Sequence, residues 1–322
     1  MTSMSRTTEP RAARGAPRSA GEVAVAKRRR PSLWIYVFLA PTVVLFGMYT
    51  VWPSISSLVY STLEWRGLGL ERSFTGLENY RRLLADPLFW KSLWITLLII
   101  VVTVPLRVTA GLLLALVLNN PRLPLAGLLR TAFFVPVVAT TAIVGFVMGF
   151  VLDPSAGPIN EALSILGVGP VDFLGSSRTS LWAVMGVHVW KWLGVTLIYW
   201  LAALQTVPRE LLEAAETDGA GPAARLRHVT LPLLRPFAVI IVVLTVIETM
   251  QIFDLVVTMT GGGPFFSTLA TEVYIYDTAF GAARPDLGYA SAIGVAFGVL
   301  TVLLMVVLTL VMRLARRRQE ER

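Results

Sequence analysis

Glu213-Ala214-Ala215-Glu216-Thr217-Asp218-Gly219-Ala220-Gly221-Pro222-Ala223-Ala224-Arg225, running on to Val229-Thr230-Leu231-Pro232, is a polar island between two long apolar runs. Its residues predict a helix, a tight turn and a second helix. Pro208 suits the first turn of a helix, where a missing N–H costs nothing. Glu210 suits the positive end of the helix dipole, and Gly219 can take the left-handed conformation that stops the helix. Pro222 starts a second short helix bearing Arg225, Arg227 and His228. That helix is expected to end before Pro232, because the residue preceding a proline is pushed out of helical geometry. Leu211, Leu212, Ala214 and Ala215 give the first helix an apolar, small-residue surface flanked by Glu213, Glu216 and Asp218. Such a unit suits docking into a partner's groove or a solvated connector, and periodicity alone leaves the two equal.

The runs on either side set the class. With 322 residues, 55% hydrophobic and 15% charged, and a mean hydropathy of +0.68, the chain is far too apolar for a soluble domain. It is expected to be an all-α membrane protein. No cysteine is present, which removes disulfides, thiolate chemistry and thiolate metal sites. Two histidines, His188 and His228, lie far apart and make no metal site. None of Lys27, Lys91 and Lys191 follows a glycine, so the chain has no phosphate-binding P-loop and any ATP is handled elsewhere. The net charge of +8 invites a nucleic-acid reading, but the basic residues sit at segment ends and read as topology signals.

Residues 1–31 form a basic polar tail, expected to be disordered and cytoplasmic, with a cleaved or twin-arginine signal as the competing reading. The apolar run that follows contains Pro41 and lacks an Ala-x-Ala site, which favours an uncleaved span. Crossing about 30 Å of hydrocarbon takes roughly 20 apolar residues. Six stretches qualify: Leu33 to Trp52, Leu93 to Leu118, Leu128 to Leu152, Leu181 to Leu204, Phe237 to Thr258 and Tyr289 to Leu314. Residues 32–314 thus make one six-span domain holding the polar loop at 205–236, and 315–322 a second basic tail. Outside the spans, 19 Lys and Arg fall on the side of the termini and the polar loop against seven on the other, which predicts cytoplasmic N and C termini. Trp34, Trp52, Trp90, Trp182 and Trp200 cluster toward span ends and read as belt anchors. Gly145 with Gly149, and Gly294 with Gly298, are small-residue pairs that permit close helix packing.

Ionisable groups inside spans cost roughly 2.5–3.5 kcal/mol on insertion scales, so each needs a reason. His188, Lys191, Trp192 and Val195 share one face of the fourth predicted helix. Glu248, Gln251, Ile252 and Leu255 share one face of the fifth. These faces are candidates for a solute path, or Lys191 and Glu248 are a buried ion pair that fixes packing. Arg107 and Asp254 are placed nearer span ends, where they can snorkel toward water.

The order Glu213-Ala214-Ala215, three residues, Gly219, nine residues, Val229, one residue, Leu231-Pro232 resembles the EAA loop of the membrane-spanning subunits of bacterial ABC importers. Thr217-Asp218-Gly219-Ala220 is the form common in the carbohydrate branch, that of the maltose and glycerol-3-phosphate permeases; Val229 replaces the commoner isoleucine. Phe74-Thr75-Gly76-Leu77-Glu78-Asn79-Tyr80, Asp86-Pro87-Leu88-Phe89-Trp90, Gly111-Leu112-x-x-Ala115-Leu116-x-x-Asn119, Thr260-Gly261-Gly262-Gly263-Pro264 and Gly288-Tyr289-Ala290-Ser291-Ala292 extend the resemblance from about Leu33 to the C-terminus.

The resemblance implies a type I ABC importer permease fold in the cytoplasmic membrane of a bacterium. Glu213, Ala214, Ala215, Asp218, Gly219, Leu231 and Pro232 would couple it to a dimer of ATP-binding subunits, which hold ATP and Mg, so the chain itself binds no cofactor or metal and catalyses no covalent chemistry. A second homologous permease and an extracytoplasmic solute-binding protein are the other implied partners, with no nucleic acid. The solute would be a sugar, oligosaccharide, polyol or glycerol phosphate. The family builds its mid-membrane site from the helices flanking the loop, which makes His188, Lys191, Trp192, Val195, Glu248, Gln251 and Ile252 the candidate pathway. A sugar site needs both donors and acceptors for hydroxyls and an indole for the C–H face of the ring. The rivals are an ion-coupled secondary transporter using Glu248, Asp254 and His188, and a membrane enzyme using His188 and Glu248. Against the first stand the loop and the lack of visible inverted repeats; against the second, the lack of a clustered nucleophile.

Overall fold

The structure is a computed structural model that describes residues 33–67, 72–120, 123–281 and 285–320; the tail at 1–31 lies outside them. The chain separates into a first unit ending at Trp52 and a second beginning at Pro53. The first holds α1 (Leu33–Phe46), with Pro41 inside it, and a π-helical segment Gly47–Val51. The helix α2 (Trp52–Tyr60) follows. Over Tyr36–Tyr60 no part of the apolar window is buried, so Phe38, Tyr49 and Trp52 all face outward. Such a surface needs lipid or another subunit against it.

In the second unit the two-residue strands β1 (Leu63–Glu64) and β2 (Ser73–Phe74) pair antiparallel, Leu63 opposite Phe74, before α3 (Glu78–Leu84). The long helix α4 (Pro87–Leu118) starts earlier than the apolar run from Leu93 suggests. Asp86 supplies the reason: its carboxylate accepts the Leu88 N–H at 2.9 Å with Pro87 in the first turn, a cap that composition does not register. Asp86 also accepts the hydroxyls of Tyr274 and Tyr289, which ties later elements to this cap.

The predicted third span is not one helix. Helices α5 (Ala126–Val138) and α6 (Thr141–Val151) meet at 99°, with Ala139 and Thr140 extended between them. Next come α7 (Pro158–Ile165), α8 (Ser180–Leu204) and the polar loop, whose first helix is α9 (Arg209–Thr217). The second helix, α10 (Pro222–Arg225), does not stop before Pro232. It passes through a π segment, Leu226–Thr230, straight into α11 (Leu231–Met250). Leu231 stays helical at φ −61°, ψ −41°, its N–H reaching the Leu226 carbonyl five residues back. The wider π turn accommodates the proline ring that would otherwise end the helix.

The fifth predicted span is also interrupted: α11 ends at Met250, Gln251 leaves helical geometry at φ −92°, ψ 56°, and α12 (Phe253–Met259) resumes after Ile252. Gly261 and Gly262 turn the chain with positive φ, then α13 (Thr271–Phe280) and α14 (Leu287–Glu320) complete it. Among the described residues, five helical stretches are long and apolar enough to span a bilayer, and six if the bent α5–α6 pair is one span.

The packing is built around α4 against α8. One apolar cluster joins Ile95, Ile99, Val184, Leu255, Val256 and Leu269; another joins Ala115, Leu118, Leu197, Trp200, Leu234 and Ile241. Close approach depends on glycine where backbones nearly touch: a β-carbon at Gly194 of α8 would lie 2.2 Å from the Phe133 carbonyl oxygen of α5. A β-carbon at Gly145 of α6 would instead meet the Thr258 side chain of α12, while Gly149, Gly294 and Gly298 have open space beside them. Trp200, expected at a membrane interface, is 2% exposed instead and donates its indole N–H to the Val108 carbonyl at 3.0 Å.

Candidate functional site

The polar loop forms the turn that its composition predicts. At the end of α9, Gly219 takes φ +81°, the Ala220 N–H bonds the Ala215 carbonyl at 2.9 Å and the Gly219 N–H bonds that of Glu216 at 3.0 Å. This is the two-bond cap that a left-handed residue makes possible. An added β-carbon at Gly219 meets nothing within 4 Å, so only the backbone conformation selects glycine there. Arg225 of α10 bonds Glu216 of α9 across the turn and fixes the two short helices to each other. Glu213, Ala214 and Asp218 are exposed, as is Leu211 at 46%, whereas Ala215, Leu231 and Pro232 are half-buried. The apolar and acidic surface of α9 is therefore open to a partner.

The second site lies where α6 and α12 begin, at the two interruptions. A cavity of about 300 Å³ is lined by Thr141, Trp192, Glu248, Gln251, Phe253, Asp254 and Glu272. A larger open groove of about 720 Å³ runs along α14, but its lining, from Ser54 and Ser57 to Gly294 and Gly298, holds no charged group and offers no comparable chemistry.

Three of the sequence-derived candidates meet at the smaller cavity: Trp192, Glu248 and Gln251. Val195 is half-buried and outside its lining. His188 is 1% exposed and shares a 3.4 Å contact with the Thr249 hydroxyl. Ile252 is 1% exposed in the apolar core, because the break at Gln251 ends the helical spacing that set it beside Glu248. Lys191, also 1% exposed, does not pair with Glu248. Its ammonium donates to the Ala139 carbonyl at 2.8 Å and the Pro136 carbonyl at 3.3 Å, the groups that the 99° bend deprives of helical donors.

Glu248 pairs instead with Arg107, Nη2 to Oε2 at 2.8 Å, and accepts the Tyr199 hydroxyl at 3.1 Å. Arg107 does not snorkel. It is wholly enclosed, reaching Thr196 at 3.2 Å and both Thr249 and the Trp192 carbonyl at 3.4 Å, so one guanidinium joins α4, α8 and α11. Glu272 was outside the candidates, since it belongs to α13, beyond the predicted spans, and no spacing links it to the flanking helices. Its carboxylate accepts the Phe253 N–H at 3.0 Å, the donor exposed by the break before α12. Burial, with the Asp254 charge beside it, pushes the Glu272 carboxyl up to about 7 against the opposing backbone N–H groups of Phe253 and Ile252. Asp254 itself is exposed at the cavity. Among the described residues no His, Asp and Glu group is arranged to hold a metal ion.

Residues 107–321 match the family described as "Binding-protein-dependent transport system inner membrane component". The chain is 35% identical over 264 residues to the lactose transport system permease protein LacF of Rhizobium radiobacter, covering 80% of this chain and 87% of that one. It is also 35% identical over 261 residues to the sulfoquinovosyl glycerol transport system permease protein SmoG of Agrobacterium fabrum, with 80% and 83% covered. Among solved structures, a bacterial ABC transporter involved in import of the acidic polysaccharide alginate superposes with a TM-score of 0.75 at 22% identity, covering 87% of this chain and 95% of that one.

Proposed function

This chain belongs to the binding-protein-dependent transport system inner membrane components, and from that premise we propose that it moves a carbohydrate across the cytoplasmic membrane as one permease subunit of an ATP-driven importer. It is a multi-pass membrane protein. Relatives named for lactose and sulfoquinovosyl glycerol support a sugar, oligosaccharide or glycoside as solute. The cavity of Trp192, Gln251 and the carboxylates supports the same class, because an indole face and hydrogen-bonding groups converge there. It stands between the helices on either side of the polar loop.

The observation that carries the reading is the geometry of that loop. A rigid pair of short helices, closed by Gly219 and the Glu216–Arg225 bridge, exposes an apolar and acidic face and runs without interruption into α11, which carries Glu248. Force applied to α10 would therefore reach Glu248 through continuous helix, and force applied to α9 would pass first through the Glu216–Arg225 bridge. A dimer of ATP-binding subunits would dock on α9, with ATP and Mg held there, and a second permease would complete the path for solute delivered by an extracytoplasmic binding protein. The termini and Gly219 would be cytoplasmic, and Gly262 outside. Of the three groups that an ion-coupled carrier would use, Glu248 is tied to Arg107 and His188 is enclosed, which leaves Asp254 alone open at the cavity.

The test is the ATPase rate of the reconstituted complex with and without loaded binding protein. Gly219→Val and Glu213→Arg should leave the permease in the membrane yet abolish stimulation. A β-branched residue at φ +81° is strained by on the order of 1–2 kcal/mol. Normal stimulation in both variants would refute coupling through this loop.

A further inference from the structure

The relatives leave the charge of the solute open, and the cavity addresses it. Its seven lining residues include three carboxylates, Glu248, Asp254 and Glu272, and no lysine, arginine or histidine. Two cations lie behind the wall, and both are committed. Arg107 is 0% exposed, with its guanidinium spent on Glu248, Thr196, Thr249 and the Trp192 carbonyl. Lys191 is 1% exposed, its ammonium turned to the Pro136 and Ala139 carbonyls and lying 4.6 Å from the Trp192 ring. Arg107 cancels Glu248, but no cation pairs with Asp254 or Glu272 among the described residues. A solute in this space meets acceptors and negative charge without any donor of positive charge.

Resting on the transport reading above, we infer that this subunit's part of the path selects by charge: it passes neutral or amino-bearing, positively charged sugars and rejects phosphorylated, sulfonated or uronic-acid sugars. An anionic group beside Asp254 and Glu272 would face like charges within one cavity whose protein walls raise the repulsion above its value in bulk solvent. A hydroxyl or ammonium finds instead the carboxylates, the Gln251 amide and the Trp192 face. Rejection thus comes from a repulsive element built into the wall rather than from tighter contacts to the accepted solute. Glu272, held near neutrality as a titrating group by burial beside Asp254, makes the rejection stronger as pH rises through about 7.

The natural absence of cysteine permits a direct reading of this field. With Gln251→Cys in the reconstituted complex, the modification rates of a cationic and an anionic methanethiosulfonate are compared, each relative to the free thiol in solution. The cationic reagent is expected to be favoured by about tenfold or more over the free-thiol ratio. Asp254→Asn with Glu272→Gln in the same background should bring the preference down to about threefold or less. Thr141→Cys on α6 repeats the measurement at a second position of the lining should the first variant fail to assemble. In parallel, ATP-driven uptake of labelled lactose, a glucosamine disaccharide and a glucuronic-acid disaccharide is measured in proteoliposomes. Equal reagent rates, or ATP-driven uptake of the acidic disaccharide at a rate that Asp254→Asn leaves unchanged, would overturn the charge inference and leave the transport reading intact. A strong cationic preference with no ATP-driven uptake of any sugar by the complete complex would instead overturn the transport reading on which it rests.

Discussion

Glu248→Leu should destabilise this protein far more than Arg107→Met, although both break the same 2.8 Å ion pair. The asymmetry comes from burial: the Arg107 side chain is 0% exposed and that of Glu248 is 22% exposed at the cavity. Losing the carboxylate strands a guanidinium whose remaining partners are two threonine hydroxyls and one carbonyl at 3.2–3.4 Å, with its Nε already lacking a partner. Removing one member of a buried pair costs about 3–5 kcal/mol, and the fully enclosed charge belongs at the upper end. Losing the guanidinium leaves a carboxylate that cavity water can reach and that still accepts the Tyr199 hydroxyl at 3.1 Å, a loss of about 1–2 kcal/mol. The double variant removes both charges; with a coupling energy of about 3 kcal/mol its loss is about 3–4 kcal/mol, which recovers about 1–2 kcal/mol of the deficit of Glu248→Leu. Thermal midpoints of the four purified proteins in one detergent, followed by size-exclusion profiles, give the order: parent, Arg107→Met, double variant, Glu248→Leu. Equal midpoints for the single variants, or a double variant at their sum, would show that Arg107 is solvated and that the joint between α4, α8 and α11 is not electrostatic.

Lys191→Met should lower the thermal midpoint by several degrees while leaving the KM for uptake unchanged, because it strips two carbonyls at the α5–α6 bend of their donor; about 1–3 kcal/mol is expected for each, partly offset by relief of a buried ammonium. A large rise in KM at normal stability would make Lys191 a solute contact. Gly194→Ala drives a β-carbon to 2.2 Å from the Phe133 carbonyl and should reduce the yield of folded protein, whereas Gly186→Ala on the same helix, with open space around it, should be neutral or slightly stabilising by membrane-expression profile. Glu272 binds its proton more tightly folded, with its carboxyl at about 7 against an ordinary 4.5, so the folded state carries more protons between those values. Its contribution to stability therefore falls as pH rises from about 4.5 to about 7 and is flat above. The difference in thermal midpoint between the parent and Glu272→Gln across that window should show this slope, and parallel curves would refute it.

The loop was legible from sequence because its determinants are local. Gly219, Pro222 and the Glu-Ala-Ala run act within a few residues of themselves, and the positive φ at Gly219 follows from the same spacing that identifies the cap. Local rules set Pro208 one residue too far in, since it is the extended N-cap of α9, and they misjudged Pro232, where a π segment replaced the expected helix end. The candidate cavity was half legible. Trp192 and Glu248 follow from helical spacing on two strongly apolar segments, and spacing holds as far as each helix holds; Gln251 reaches the cavity although it lies past the end of α11. Beyond Met250 it fails, which is why Ile252 lies in the core rather than beside Glu248.

What hydropathy could not convey is direction. The residues from Leu128 to Leu152 are apolar throughout, and nothing in their composition distinguishes a straight span from two helices at 99°. Yet an interrupted helix in a membrane leaves backbone groups without partners, and lipid supplies none. Each interruption must therefore be answered by a polar side chain from elsewhere in the fold. Lys191 answers the α5–α6 bend and Glu272 answers the start of α12, from 52 and 19 residues away along the chain. The sequence displays Lys191 as an unexplained intramembrane charge and gives Glu272 no distinction, and it displays the spans as unbroken. At Lys191 the two puzzles have one solution, since the odd charge is the partner of the hidden bend. The cavity opens where both breaks fall, with Thr141 at the start of α6 and Gln251 and Phe253 around the start of α12 in its wall.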